Sequence, residues 1–190
     1  MRISILLILI VFTSCARPLY IKDKHFKPTD IHYKMDTDLK ELVYKTLERA
    51  FVTEKDIADY RLLWKKHRIY VSNKYQNSKT NFISQEDWNE TVSYLTQNEV
   101  PNSIGNVMFS LKSKEELQKI SDKTWEDFLH ASFSLIKIEG NIATVKINNS
   151  WIVSKHTKNK IYMSGGGYTC TFKKIDGVWE FQEIKSKWIS

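Results

Sequence analysis

The chain has 190 residues, 42% of them hydrophobic and 13% aromatic, with a formal net charge of +7. That length and composition suit one packed domain and exclude a disordered or fibrous chain. Six glycines and three prolines leave no linker-rich or repetitive architecture, and the basic residues are scattered, with Lys65-Lys66-His67-Arg68 the one short cluster.

Residues 1–14 are compositionally separate. Met1-Arg2 gives a short basic start, Ile3 to Phe12 is apolar apart from Ser4, and Thr13-Ser14 are small residues leading to Cys15. The apolar run is about half the length a bilayer-spanning helix needs, so it reads as an export signal. Phe12-Thr13-Ser14-Cys15 resembles the lipobox of bacterial lipoprotein signal peptides, with Phe12 where leucine is usual. The resemblance implies that residues 1–14 are removed and that Cys15 becomes a lipidated N-terminus, which makes a membrane the first expected partner. Ala16-Arg17-Pro18 carries no acidic residue after the cysteine, which favours the periplasmic side of the outer membrane. Export argues against a nucleic-acid partner. The basic charge then faces anionic lipid, cell-wall polymer or an acidic protein, or reflects no more than a lysine-rich composition. With Cys15 lipidated, Cys170 is the one thiol left and no internal disulfide can form.

Residues 15–36 mix charge with Pro18 and Pro28 and lack periodicity, so they read as a tether ahead of a single domain over residues 37–190. His25 and His32 stand seven apart, a spacing unsuited to a metal site. Asp38-x-x-Glu41 has the form of a capping box, and Leu39, Leu42, Val43, Leu47, Ala50 and Phe51 follow as one helical stripe. Thr53-x-x-Asp56 predicts a second helix with Ile57, Tyr60, Leu63 and Trp64 on one face. Arg68 to Ser72 predicts a short strand, 73–80 a loop, and Ser84-x-x-Asp87 a third helix with Trp88, Val92 and Leu95 inward. A short apolar run at Val107 to Leu111 precedes Ser113-x-x-Glu116, a capping box for a fourth helix bearing Leu117, Ile120, Thr124 and Trp125 on one face.

After His130 the apolar period changes from that of a helix to that of a strand. A strand through Phe133, Leu135, Ile136 and Ile138 ends at Glu139-Gly140-Asn141, a hairpin signal. Ala143, Val145, Ile147, Asn149, Trp151 and Val153 then alternate with polar residues, which predicts one buried face. A turn at 156–160, a strand from Tyr162 to Phe172, a turn at Ile175-Asp176-Gly177 and a strand from Val178 to about Trp188 complete the chain. Turns this short join antiparallel neighbours. The expected fold class is therefore α+β: N-terminal helices packed on a C-terminal four-stranded antiparallel meander sheet. The element order, with the late pattern Gly167-Tyr168-x-x-x-Phe172-Lys173-Lys174-x-Asp176-Gly177-x-Trp179, resembles the cystatin-like cone of the NTF2-like superfamily. That resemblance implies a pocket between helices and bent sheet.

The triplet Gly165-Gly166-Gly167 is the oddest local feature, since glycines weaken a strand unless a bulge, a close neighbour or a ligand requires bare backbone. Asn149 and Trp151 fall on the inward register, where an amide and an indole N–H each need a partner. With Tyr168, these residues form the candidate ligand-binding set. Cys170 shares a strand face with Tyr168 and Phe172 and reads as an inert core thiol. Asp122, Glu126, Asp127 and His130 cluster at the helix-to-sheet junction without a defined acid/base arrangement. No catalytic residue, metal site or cofactor motif emerges. The functional expectation is a lipid-anchored envelope protein, a non-catalytic accessory domain binding a small apolar ligand or an envelope partner. The alternatives are an isomerase- or dehydratase-type enzyme with an NTF2-like pocket, or an interaction or immunity-type protein.

Overall fold

A computed structural model describes residues 37–57, 68–76, 92–158 and 165–189. The predicted signal sequence, Cys15 and the tether lie outside the described residues. So do most of the second predicted helix, the start of the third and residues 159–164.

The first helix, α1 (Asp38–Phe51), forms where its stripe predicts, with Leu42, Val43, Leu47, Ala50 and Phe51 fully buried. Its cap lies one residue earlier than expected: the Thr37 hydroxyl accepts from the Lys40 N–H at 3.2 Å. Asp38 and Glu41 are drawn into tertiary contacts instead. Asp38 pairs with Lys174, and the Glu41 carboxylate accepts the backbone N–H of Trp179 at 2.9 Å. These two acids bind the helix to the sheet, and Glu41 also lies 3.6 Å from Lys45 one turn along the helix.

The strands follow as β1 (Arg68–Ser72), β2 (Lys74–Gln76), β3 (Val92–Tyr94), β4 (Ser103–Ile104) and β5 (Val107–Lys112). After the helix α2 (Lys114–Thr124) come β6 (Phe128–Glu139), β7 (Ile142–Ile152), β8 (Gly166–Ile175) and β9 (Val178–Ile189). The predicted meander β6-β7-β8-β9 is present and antiparallel, but it is only part of the sheet. The full order is β4-β5-β1-β6-β7-β8-β9, with β1 parallel to both β5 and β6. The protein is thus built on a seven-stranded mixed sheet with two described helices. This corrects both the four-stranded meander under N-terminal helices and the cystatin-like cone inferred from it. The segments 68–72 and 107–111 do form strands as predicted; their parallel pairing joins distant parts of the chain, which local periodicity does not report.

Two smaller corrections have the same cause. The predicted loop from Asn73 contains β2, and Val92 lies in β3 rather than in a helix, the two strands pairing antiparallel as a separate ribbon. Short strands of three residues carry too little pattern to be read singly.

The sheet bends around α1. Register shifts occur in β6 between Phe133 and Leu135, and in the β8–β9 pairing beside Cys170 and Phe172. Each extra residue increases local twist. The inner face carries Ile69, Val71, Phe133, Val145, Ile147, Tyr168, Cys170, Phe172 and Trp179, all essentially buried with the α1 stripe in one core. Arg49 of α1 lies 2.8 Å from Asp56, in charge contact but not aligned for a hydrogen bond, and its guanidinium sits 3.7 Å over the Phe181 ring.

Among the described residues, the opposite face is covered at one end. There Leu117 of α2 is buried, while Tyr70 and Phe128 meet at 5.3 Å and Ile152 is 6% exposed. The capping box of α2 is as predicted, with Ser113 and Glu116 bonded reciprocally. Its buried face is rotated from the expected one: Ser121 is buried beside Leu117, donating its hydroxyl to the Glu126 carbonyl at 2.8 Å. Trp125, expected inward, is the left-handed C-cap (φ 58°) and stands 70% exposed, stacked on His156 at 3.9 Å.

Candidate functional site

The candidate site grows out of the end of the β7–β8 ladder. The last paired residues are Asn149 and Gly166. Asn149 is 3% exposed, and its side-chain carbonyl accepts the Gly166 N–H. The amide thereby closes a ladder that the backbone has begun to leave, which satisfies one of the polar groups that burial would otherwise penalise.

The glycines follow from this close approach. A Cβ on Gly165 would come within 2.7 Å of the Asn149 carbonyl oxygen. One on Gly167 would strike the Ile147 carbonyl oxygen and the Trp188 ring. Trp188 is the cross-strand partner of Gly167, so the indole lies where a side chain would otherwise stand. The triplet therefore serves strand-to-strand contact first, with bare backbone at the rim as a consequence.

Around this rim lies a cleft of about 340 Å³. From β7 it is lined by Lys146, Asn148 and Ser150, alternate residues of the outward face, and by Asn149 and Trp151 at the strand's end. Gly166 of β8, Gly165 just before it and Trp188 of β9 also line it. The Lys146 ammonium lies 4.7 Å over the Trp188 ring, a cation–π contact worth roughly 0.5–1 kcal/mol when exposed. The Asn148 Oδ1 is buried without a hydrogen-bond partner among the described residues. Such an acceptor costs about 1–3 kcal/mol, so its presence at a cleft marks a group that a ligand could satisfy.

Behind Ser150 stands His130, its direct cross-strand neighbour and only 8% exposed. Nδ1 lies 2.8 Å from the Ser150 carbonyl oxygen. A carbonyl only accepts, so Nδ1 carries the proton and Nε2 presents its lone pair to the Ser150 hydroxyl at 3.5 Å. Burial holds the His130 pKa below its ordinary value, with Lys114 adding in the same direction against the Ser150 hydrogen bond. The neutral ring orients Ser150 at the edge of the cleft. Its distance is too long for an activated nucleophile, and the Gly166 N–H that could polarise a substrate is already given to Asn149.

Of the sequence-derived set, Asn149, Trp151, Gly165 and Gly166 meet at the cleft, and Gly167 underlies Trp188. Tyr168 does not reach it. Its side chain is in the core, with the hydroxyl donating to the Thr46 carbonyl at 3.4 Å and its pKa raised well above the ordinary value by burial. Cys170 is buried beside it, and desolvation pushes the thiol up to about 12. At pH 7 it is neutral and inert. The acids near the helix-to-sheet junction hold a loop: Asp127 accepts from the Ser154 N–H at 2.7 Å and the Thr157 hydroxyl, and Asp122 from the Lys155 N–H at 2.8 Å. Among the described residues no cluster of His, Cys, Asp or Glu could hold a metal ion. Sequence reasoning missed Lys146, Asn148, Ser150 and Trp188. The first three stand on the register read as solvated, and the available signal was the Trp188 aromatic facing a glycine across a hairpin.

No family model, curated protein or solved structure matches this chain.

Proposed function

We propose that the protein is a lipid-anchored, non-catalytic binding domain of the bacterial cell envelope. Cys15 holds it at the periplasmic side of the outer membrane, and the cleft beside Trp188 takes a polar ligand or a segment of an envelope polymer. The observation that carries the binding reading is the convergence of Lys146, Asn148, Ser150 and Trp188 on one cleft of about 340 Å³, outside a filled core. Ligand sites combine apolar rings with a few placed polar groups, and this lining has both. Its polar edge favours a polar ligand over the small apolar one expected from the sequence.

The test has two readouts on the full-length protein purified from membranes. Mass spectrometry should find the N-terminal peptide beginning at an acylated Cys15; an unmodified Cys15 would remove the anchor from the proposal. A nuclear magnetic resonance screen of polar metabolites and envelope saccharides should shift the Trp188 indole and the Asn148 side-chain amide. Shifts confined to other surfaces, or none at all, would remove the cleft.

A further inference from the structure

The cleft's charge is one-sided. Among the described residues, Lys146 is the single ionisable side chain in its lining. The ladder neighbours of Lys146 are Leu135 and Thr169, and along its own strand face it is flanked by Thr144 and Asn148. None of these carries a carboxylate. The acids of the same sheet face, Glu139, Glu180 and Glu183, lie toward the hairpin end, where Glu139 pairs with Lys137 at 2.8 Å and Glu183 lies 3.7 Å from Lys185. Lys137 and Lys185 thus have carboxylates while Lys146 rests on an aromatic ring. An ammonium held by a ring quadrupole is readily drawn to a full negative charge.

Two further features restrict the ligand. Trp188 stands against Gly167 with the Lys146 ammonium over its ring, so lifting Lys146 bares an aromatic face at the cleft. Such a face takes a flat, partly apolar ring body. Asn148 Oδ1 lacks a donor among the described residues; its amide turns about one side-chain bond, so a hydroxyl arriving in the cleft can supply that donor. The ligand that meets all three demands bears an anionic group, hydroxyl donors and a ring with an apolar face.

We infer that the cleft binds an acidic saccharide, with Lys146 pairing the carboxylate, Trp188 stacking on the sugar ring and Asn148 accepting a ring hydroxyl. This deepens the cleft reading above and rests on it. The free sugar and a unit within a surface polymer share this chemistry, and chain length separates them: a polymer site gains affinity from mono- to trisaccharide, whereas a free-sugar site does not.

The experiment titrates the full-length protein with a uronic-acid trisaccharide, the corresponding monosaccharide, and the methyl ester of the trisaccharide, which keeps ring and hydroxyls but removes the charge. Binding is read by calorimetry and by shifts at Trp188. The acid should bind at least tenfold more tightly than its ester, and Lys146→Met should bring that ratio close to one. Lys146→Arg should keep most of it, which guards against a merely structural effect. Unchanged thermal melting of both variants establishes that they fold. If acid and ester bind the cleft equally, the acidic class is wrong while the cleft reading stands. If neither saccharide shifts Trp188 but another compound does, the saccharide class is wrong. If nothing shifts Trp188, both readings fall.

Discussion

The two faces of β8 behave as different materials. Tyr168, Cys170 and Phe172 point into a core of mostly apolar side chains bordered by the Arg49–Asp56 ion pair, and none of the three is more than 1% exposed. On the other face Gly167 and Thr169 lie under Trp188 and beside Lys146, and the polar atoms there are not all satisfied. One face has spent its chemistry on stability, and the other keeps groups that a ligand can use. The difference teaches where to look for function in a fold with an inert thiol and a closed interior: at the rim, where the ladder ends and the packing rule relaxes.

Mutations can break or sharpen that contrast. The largest effect should come from Phe172→Ala, which empties a fully buried site and should destabilise by about 3–5 kcal/mol without altering cleft resonances. Denaturant unfolding measures it, and a loss under about 1 kcal/mol would mean that the inner face is not close-packed. Gly167→Ala crosses the boundary between the faces. Its methyl meets the Ile147 carbonyl and the Trp188 ring, and the cost should be on the order of 2–3 kcal/mol, with Trp188 displaced. Glu41→Ala removes the acceptor for the Trp179 N–H at the inner edge of β9. About 1–3 kcal/mol should be lost, and Glu41→Gln should restore most of it, because an amide oxygen still accepts. Trp188→Ala should cost less than about 1 kcal/mol, the scale of a cross-strand pair, yet abolish binding at the cleft.

The last prediction is a slope rather than a step. The His130 pKa is lowered in the folded state, chiefly by burial. The unfolded chain therefore binds a proton that the native protein resists. His130 contributes its full stability above the unfolded value, near pH 6.5, and that contribution is lost as pH falls through the lower folded pKa. Melting temperature should fall on acidification below about pH 6.5, and His130→Gln should flatten the slope. An unchanged slope would show that the ring is not shielded in the way its 8% exposure indicates.

Much of this architecture was legible. The α1 stripe, the Ser113–Glu116 box, the strands 68–72 and 107–111, and the inward register of Ala143, Val145, Ile147 and Asn149 are local patterns that the folded chain keeps. Half of the candidate site was legible for the same reason, since glycines within a strand and a buried asparagine are anomalies of local pattern. Lys146, Asn148, Ser150 and Trp188 were not, because each is ordinary where it stands and gains meaning only from its neighbours across the ladder.

What the sequence by itself determined, then, is the longer segments and, for α1 and β7, the faces they bury, because side-chain period follows backbone geometry within a few residues. Only the tertiary structure decided that β1 and β5 extend the meander into a seven-stranded mixed sheet, and that Asn149, the glycines and Trp188 meet around one cleft. Parallel pairing and cross-strand contact depend on the closure of long loops, whose cost and reward belong to the whole chain.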